Sequence, residues 1–318
     1  MKWTDICTTP REYSRCLTGS GTLYYNSRVY LIGGKFGYPT NSVYSTKLDN
    51  VDWIPNLSLP IALYNPTIVR SNNVVFVIGG INCNQEVNKK VFSAKIKVDG
   101  SIRRWNTCTE LPRSFNLTHY AAIAADGKIF ITGGEDGNKL HKSMLTVDIC
   151  SNEFLGEWHE ENNLPFVVSN HSLVTDKSNS FYILGGVKNR LHIDHRNYHA
   201  GAVPGSRRGD KWKDTGSNLP RPLAGFDCLT DSNNAIIVGG ITLSNDTLNG
   251  TYQLPNDIIY QAKAFQKGGL NVWHELGYIP RDISLLKGMH FFDGNKVFVT
   301  GINCNHEVVI RSAAITNL

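Results

Sequence analysis

Two near-identical octapeptides hold the side chains most able to do chemistry: GINCNQEV at residues 80–87 and GINCNHEV at 301–308. Each has a cysteine, a glutamate and amide groups, and the second adds His306. Thiolate, carboxylate and imidazole can ligate zinc or pair as nucleophile and base, but a structural zinc needs four ligands and a catalytic base needs a third group to orient it. A second cluster, HIDHRNYH, offers His192, His195 and His199 without an HExxH motif or a cysteine partner. A third set is arginine placed directly after proline, at Arg11, Arg113, Arg221 and Arg281. Guanidinium groups grip carboxylate or phosphate through forked hydrogen bonds. No G-x-S-x-G elbow and no phosphate-binding P-loop is present. No catalytic set, metal site or cofactor site is therefore expected.

Composition narrows the class. The chain has 318 residues, 41% apolar and 19% charged, with 29 glycines, as expected of a globular protein with a large core. Glycine and asparagine are scattered too evenly for long helices. The formal charge of +5 is thinly spread and no run of like charges occurs, so no nucleic-acid arm is expected. The cysteines at 7, 16, 83, 108, 150, 228 and 304 contain no CxxC pair and are odd in number, which argues against a zinc module or a disulfide framework. Buried reduced thiols are expected. The start, MKWTDICTTP, lacks the apolar run of an export signal, and no stretch approaches the ~18 apolar residues of a membrane helix. The expected location is cytoplasmic or within a virion, without membrane insertion.

The elements that must position these residues repeat. Six tryptophans, at 3, 53, 105, 158, 212 and 273, are spaced by 50, 52, 53, 54 and 61 residues. Each precedes a proline by seven residues, or by eight at Pro220, and leucine usually stands before that proline. Apolar runs ending in a glycine pair keep the same period: VYLIGG, VVFVIGG, KIFITGG, FYILGG and AIIVGG, with KVFVTG as a sixth in which Thr300 replaces the first glycine. Short, β-branched and aromatic, these runs read as strands buried on both faces. The glycines permit positive φ and close backbone approach. Alternating segments such as NSVYSTKLD and KVFSAKIKVDG, with turns at Asp99-Gly100 and Asp126-Gly127, complete units of about four strands. A single unit of this kind cannot cover its own faces, whereas several arranged in a ring can.

The glycine pair, the LP-R turn and the spaced tryptophan resemble those of kelch-repeat β-propellers, and the resemblance covers the whole chain. It implies an all-β, six-bladed propeller forming one domain, 1–318, in which residues 1–8 complete the last blade by pairing with residues 308–316. The two octapeptides become one structural position in two blades, with Cys83 and Cys304 too far apart for a disulfide. Post-glycine loops and LP turns then share a face. There Arg11, Arg113, Arg221 and Arg281, with Glu86 and Glu307, either form an anion clamp or brace the blades; Glu135, Asp136 and His192 lie in the same loops. The excursion at 241–257, with Asn245, Asn249 and Tyr252, is a candidate partner-binding loop.

The expected function is non-enzymatic binding or assembly. The repeat style resembles bacterial and phage kelch repeats, which points to a virion or tail component. The ligand would be a protein partner in a larger assembly or an acidic glycan. Alternatives are a sialic-acid-type sugar mutarotase, a six-bladed enzyme needing only an acid–base pair and an anion clamp, and a cytoplasmic interaction scaffold. Deleting residues 1–8 is expected to lower the melting temperature sharply in a thermal scan; an unchanged curve would show the closure to be misplaced.

Overall fold

The computed structural model describes residues 1–8, 19–48, 50–150, 153–175, 180–189, 192–193, 197–200, 212–214, 218–230, 234–246, 250–263, 272–285, 290–293, 295–305 and 308–315. Among them every regular element is a strand. Each apolar run pairs with the segments before and after it. This gives blade 1 (Gly21–Tyr25, Arg28–Ile32, Val43–Lys47, Asn50–Pro55) and blade 2 (Thr67–Ser71, Val74–Ile78, Val91–Lys95, Asn106–Cys108). Blade 3 (Ala121–Ala125, Lys128–Thr132, Met144–Ile149, Leu155–Glu160) and blade 4 (Ser172–Thr175, Phe181–Leu184, Asn197–Ala200, Lys213–Asp214) follow. Blade 5 comprises Asp227–Thr230, Asn234–Val238, Ile258–Lys263 and His274–Tyr278. All are antiparallel meanders.

Alternation along the second strand of each blade builds the core. Tyr30 and Ile32 face blade 2, where they meet Val75, Val77 and Phe92. Their neighbours Val29 and Leu31 face the other way, toward Phe291, Phe298 and Ile310. The same division recurs: Phe76 and Ile78 pack with Ile129 and Ile131 of blade 3, and Phe130 packs with Phe181 and Ile183 of blade 4. Tyr182 joins Ile237 of blade 5, and Ile236 joins Val297 and Val299. Sheet thus stacks on sheet, the arrangement of a β-propeller. Burying one such side chain contributes roughly 1.5–3 kcal/mol.

The glycine pairs set the spacing between blades. Both members have positive φ in each of blades 1 to 5. The second glycine donates its N–H across to the next blade: Gly34 to the Leu63 carbonyl, Gly134 to that of Val168 and Gly186 to that of Leu223, each at 2.8 Å. In these three blades the first glycine lies against the same carbonyl. A Cβ added at Gly33 would sit 2.5 Å from the Leu63 oxygen, and Gly133 and Gly185 face the Val168 and Leu223 oxygens in the same way.

The sheet carrying both chain ends corrects the expectation of six like blades. Five sheets are four-stranded, whereas this one has five strands: Trp3–Thr8, Val308–Ala314, Lys296–Asn303, Ile283–Leu285 and Phe291–Phe292. One residue marks the departure. Thr300 stands where the other repeats have the first glycine, and a β-branched residue resists the left-handed turn made there. The strand therefore runs on from Lys296 to Asn303. Its near end pairs with Phe291–Phe292, and its far end with Ile283–Leu285.

Trp3–Thr8 pairs antiparallel with Val308–Ala314, Trp3 opposite Ala313, with a register shift between Asp5 and Cys7. Arg311 fastens these strands. Its Nε donates to Asp5 at 2.5 Å, while Nη1 and Nη2 donate to the two oxygens of Asp282 at 2.5 and 2.7 Å. That fork holds the Asp282 carboxyl below its usual range.

Two glycines separate steric crowding from backbone strain. Gly133 (φ +66 in its counterpart Gly33, +65 in Gly133 itself) is crowded, while Gly127 (φ +70) has nothing within 4 Å of an added Cβ. Gly127→Ala is expected to cost about 1 kcal/mol from φ alone. Gly133→Ala is expected to cost at least ~2 kcal/mol more in denaturant titration, because a backbone oxygen must move. Equal losses would refute the spacer role.

Candidate binding face

The turns that enter the inner strands are tied to the segments that leave the glycine pairs. Tyr64 and Ile81 exchange N–H···O bonds at 3.0 and 2.8 Å, as do Thr118 and Glu135 at 2.8 and 2.9 Å. Ser169 with Val187 and Ala224 with Ile241 repeat the bridge. LP turns and post-glycine loops therefore share one face, as expected.

A signal not read from the sequence lies beside these bridges. Two residues before each inner strand of blades 1 to 5 stand Gly19, Asn65, His119, Asn170 and Gly225, all with φ between +50 and +66. Glycine and asparagine take that conformation readily, and His119 is the exception. Their backbones join between blades: Asn65 donates to Gly19 at 2.6 Å, Asn170 to His119 at 2.9 Å and Gly225 to Asn170 at 2.7 Å. Asn88 and Asn256 were also missed. Each buried amide donates to the carbonyl of the first glycine of its pair (Gly79 at 2.9 Å, Gly239 at 3.0 Å) and to a carbonyl at the start of the third strand. These groups hold the base of each loop.

The loops on that base differ. Blade 1 has a miniature hairpin, Lys35–Phe36 with Tyr38–Pro39, which leaves Tyr38 81% exposed. The Lys35 ammonium lies 4.5 Å from the centre of the Tyr64 ring. In blade 2 the Asn82 carboxamide accepts the Asn84 and Glu86 N–H groups at 2.9 and 3.0 Å. Blade 3 carries two imidazole–carboxylate contacts, His119–Glu135 at 2.7 Å and His141–Asp136 at 2.8 Å. In blade 4, Val187–Asn189 pairs with His192–Ile193. The 241–257 excursion, read as a loop, is a hairpin in which Ile241–Asp246 pairs with Gly250–Pro255. Asn245 and Tyr252 fall on its strands, and Asn249 lies outside the described residues.

The arginines do not converge into an ion-paired clamp among the described residues. Arg113 is exposed, and its carbonyl accepts from the Lys89 ammonium. Arg221 is half-buried beside Tyr260, whose hydroxyl is raised above its usual range by burial and partly held down by that guanidinium. Arg281 is exposed, and Glu86 accepts from the Asn82 amide at 3.1 Å. Arg11, Glu307, His195 and His306 lie outside the described residues. His199 falls within the third strand of blade 4, opposite Tyr182, as its repeat position implied. No group of three or more metal-ligating side chains occurs among the described residues.

The octapeptides differ in their start. GINCNQEV begins after its strand ends at Ile78, whereas the first residues of GINCNHEV lie inside Lys296–Asn303. Cys83 and Cys304 are free and exposed, as is Cys150. This corrects the expectation of buried thiols: all three lie outside the strands, where no core covers them. Cys108 and Cys228 sit in strands, and burial pushes the Cys228 thiol up to about 12.

Comparisons with known proteins agree with the repeat. No family model matches the chain. Kelch-like protein 40a of Danio rerio is 25% identical over 138 residues, 43% of this chain and 22% of its own length. Kelch repeat-containing protein At3g27220 of Arabidopsis thaliana is 27% identical over 203 residues, 58% of this chain and 47% of its own. Kelch-like protein 41 of Rattus norvegicus is 25% identical over 148 residues, 46% and 24% respectively. The chain thus spans less than half the length of these relatives. The solved structure of YjhT matches with a TM-score of 0.69 at 15% identity, covering 95% of both chains, which establishes likeness of fold.

The Asp136 turn gives a pH prediction. Its carboxylate accepts the Lys139 and Asn138 N–H groups, each at 2.9 Å, and the His141 ring. The Lys139 bond leads in holding it well below the ordinary 3.8. A depressed carboxyl stabilises the fold above its unfolded value and loses that contribution as pH falls further. Asp136→Asn is therefore expected to melt lower than the parent at pH 7, with the gap closing as pH drops below 3.8. A gap independent of pH would refute the assignment.

Proposed function

Since the chain is a kelch-repeat β-propeller, we propose that it is a non-enzymatic module that binds a protein partner through the face of post-glycine loops and LP turns. One observation carries the reading: an internally bonded frame, repeated from blade to blade, supports loops that differ in every blade. Tyr38, Val167 and Leu254 lie exposed on those loops, at 81%, 37% and 40%. Scattered apolar tips over a rigid base suit a broad protein contact better than an enclosed small-molecule site. Arg113, Arg281, Glu86 and the strands bearing Asn245 and Tyr252 belong to this proposed surface, with Arg221 as a brace.

We further propose that the five-stranded sheet acts as a sixth blade and that the N-terminal strand seals the ring. The pairing of Trp3–Thr8 with Val308–Ala314, and the packing of Phe291 and Phe298 with Val29 and Leu31, support this. A place in a larger assembly, such as a virion or tail, is a finer version of the reading. A cytoplasmic scaffold and recognition of an acidic glycan are others. The sugar-mutarotase alternative needs an arginine–carboxylate clamp on this face; the bracing role of Arg221 favours binding instead.

Photo-crosslinking residues introduced at Tyr38 and Leu254 are expected to capture the same protein, identified by mass spectrometry. The exposed Val272, at the opposite ends of the strands, should not capture it. Unrelated adducts at the two positions would refute a shared binding face. So would acceleration of sialic acid anomer exchange, followed by NMR.

A further inference from the structure

A groove of about 310 Å³ lies at the opposite ends of the strands, between the outer turns of blades 2 and 3. Lys95, Lys97, Arg104, Asn106, Glu153 and Phe154 line it. Its floor is built. Glu153, at φ +73, presents its backbone carbonyl to Ser93 at 2.5 Å and to the Cys108 thiol at 3.5 Å. The Glu153 carboxylate accepts from the buried Asn106 amide at 3.0 Å. The nearby acid Asp99 is occupied by Arg103 at 2.6 Å and by Ser101. Among the described residues Lys95, Lys97 and Arg104 have no such partner, so three exposed cations face one carboxylate already engaged.

We propose that this groove binds an acidic peptide segment of a protein partner in extended form. Lys95 and Lys97 are two residues apart on a paired, extended stretch that continues through the Ile96–Ile102 bridge. Alternate side chains of a strand recur every ~6.8 Å, so carboxylates two apart on an extended peptide meet both ammonium groups. The Arg104 guanidinium offers a fork to a third carboxylate. Phe154, 43% exposed, supplies an apolar wall for a side chain between them. The proposal uses other residues and the other ends of the strands from the binding face above, so each can fail separately.

The test is fluorescence anisotropy of a labelled twelve-residue peptide of alternating Asp or Glu, with one Phe, titrated with the full chain at low and high salt. The Lys95→Glu, Arg104→Glu pair is expected to weaken binding by about tenfold or more, while Lys139→Glu, on the other face, leaves it unchanged. Phe154→Ala is expected to weaken the peptide but not inorganic polyphosphate. The substituted side chains are exposed, and a thermal scan of each variant checks that it still folds. Equal loss in the Lys139→Glu control, no binding by the parent at low salt, or a single-stranded oligonucleotide binding as tightly as the peptide would each overturn the proposal.

Discussion

The molecule depends on a backbone contact with no room for a side chain. At the end of the second strand in blades 1, 3 and 4, two left-handed glycines bring one blade against the next, and the second donates an N–H at 2.8 Å to a turn carbonyl. The apolar strands could pack at many angles, since burial is not directional. The glycine contact selects one, because the carbonyl lies where a Cβ would be. The five-stranded sheet shows the converse: with Thr300 at that position the strand does not turn, and the sheet is rebuilt around its extension.

A second set of contacts works farther out. Tyr30 and Arg28 of blade 1 reach the carbonyls of Gly100 and Asp99 in the blade 2 turn, at 2.8 and 3.3 Å. Blade 2 reaches Glu153 of blade 3 in the same manner. These two outer turns each close over the preceding blade. The proposed acidic-peptide groove grows from this clasp, because the residues that satisfy Glu153 leave the neighbouring cations free.

Much of the fold was legible in the sequence because its determinants are local and periodic. Burial on both faces follows from the apolar runs, and the turns from their glycines. The five-stranded sheet was not legible, although Thr300 was visible as a departure, because its effect depends on which distant segments can pair with a lengthened strand. The candidate site was legible only in part. That post-glycine loops and LP turns share a face follows from strand order. The partners of Arg221, Glu86 and Asp136 do not, since those side chains answer to neighbours fixed by tertiary packing. Asn65, Asn170 and Asn256 read as ordinary polar loop residues, yet the first two hold left-handed backbone and the third satisfies buried carbonyls.

The tryptophans that revealed the repeat have a further use. The indole N–H of Trp105 donates to the Leu57 carbonyl of the preceding unit at 2.9 Å. That of Trp158 donates to Thr109 at 3.1 Å, and that of Trp3 to Tyr278 at 2.8 Å. Each chromophore straddles one seam between consecutive sheets. Emission from a protein keeping a single indole would report the parting of that seam alone, so the molecule carries its own optical gauges for whether its sheets come apart together or in order.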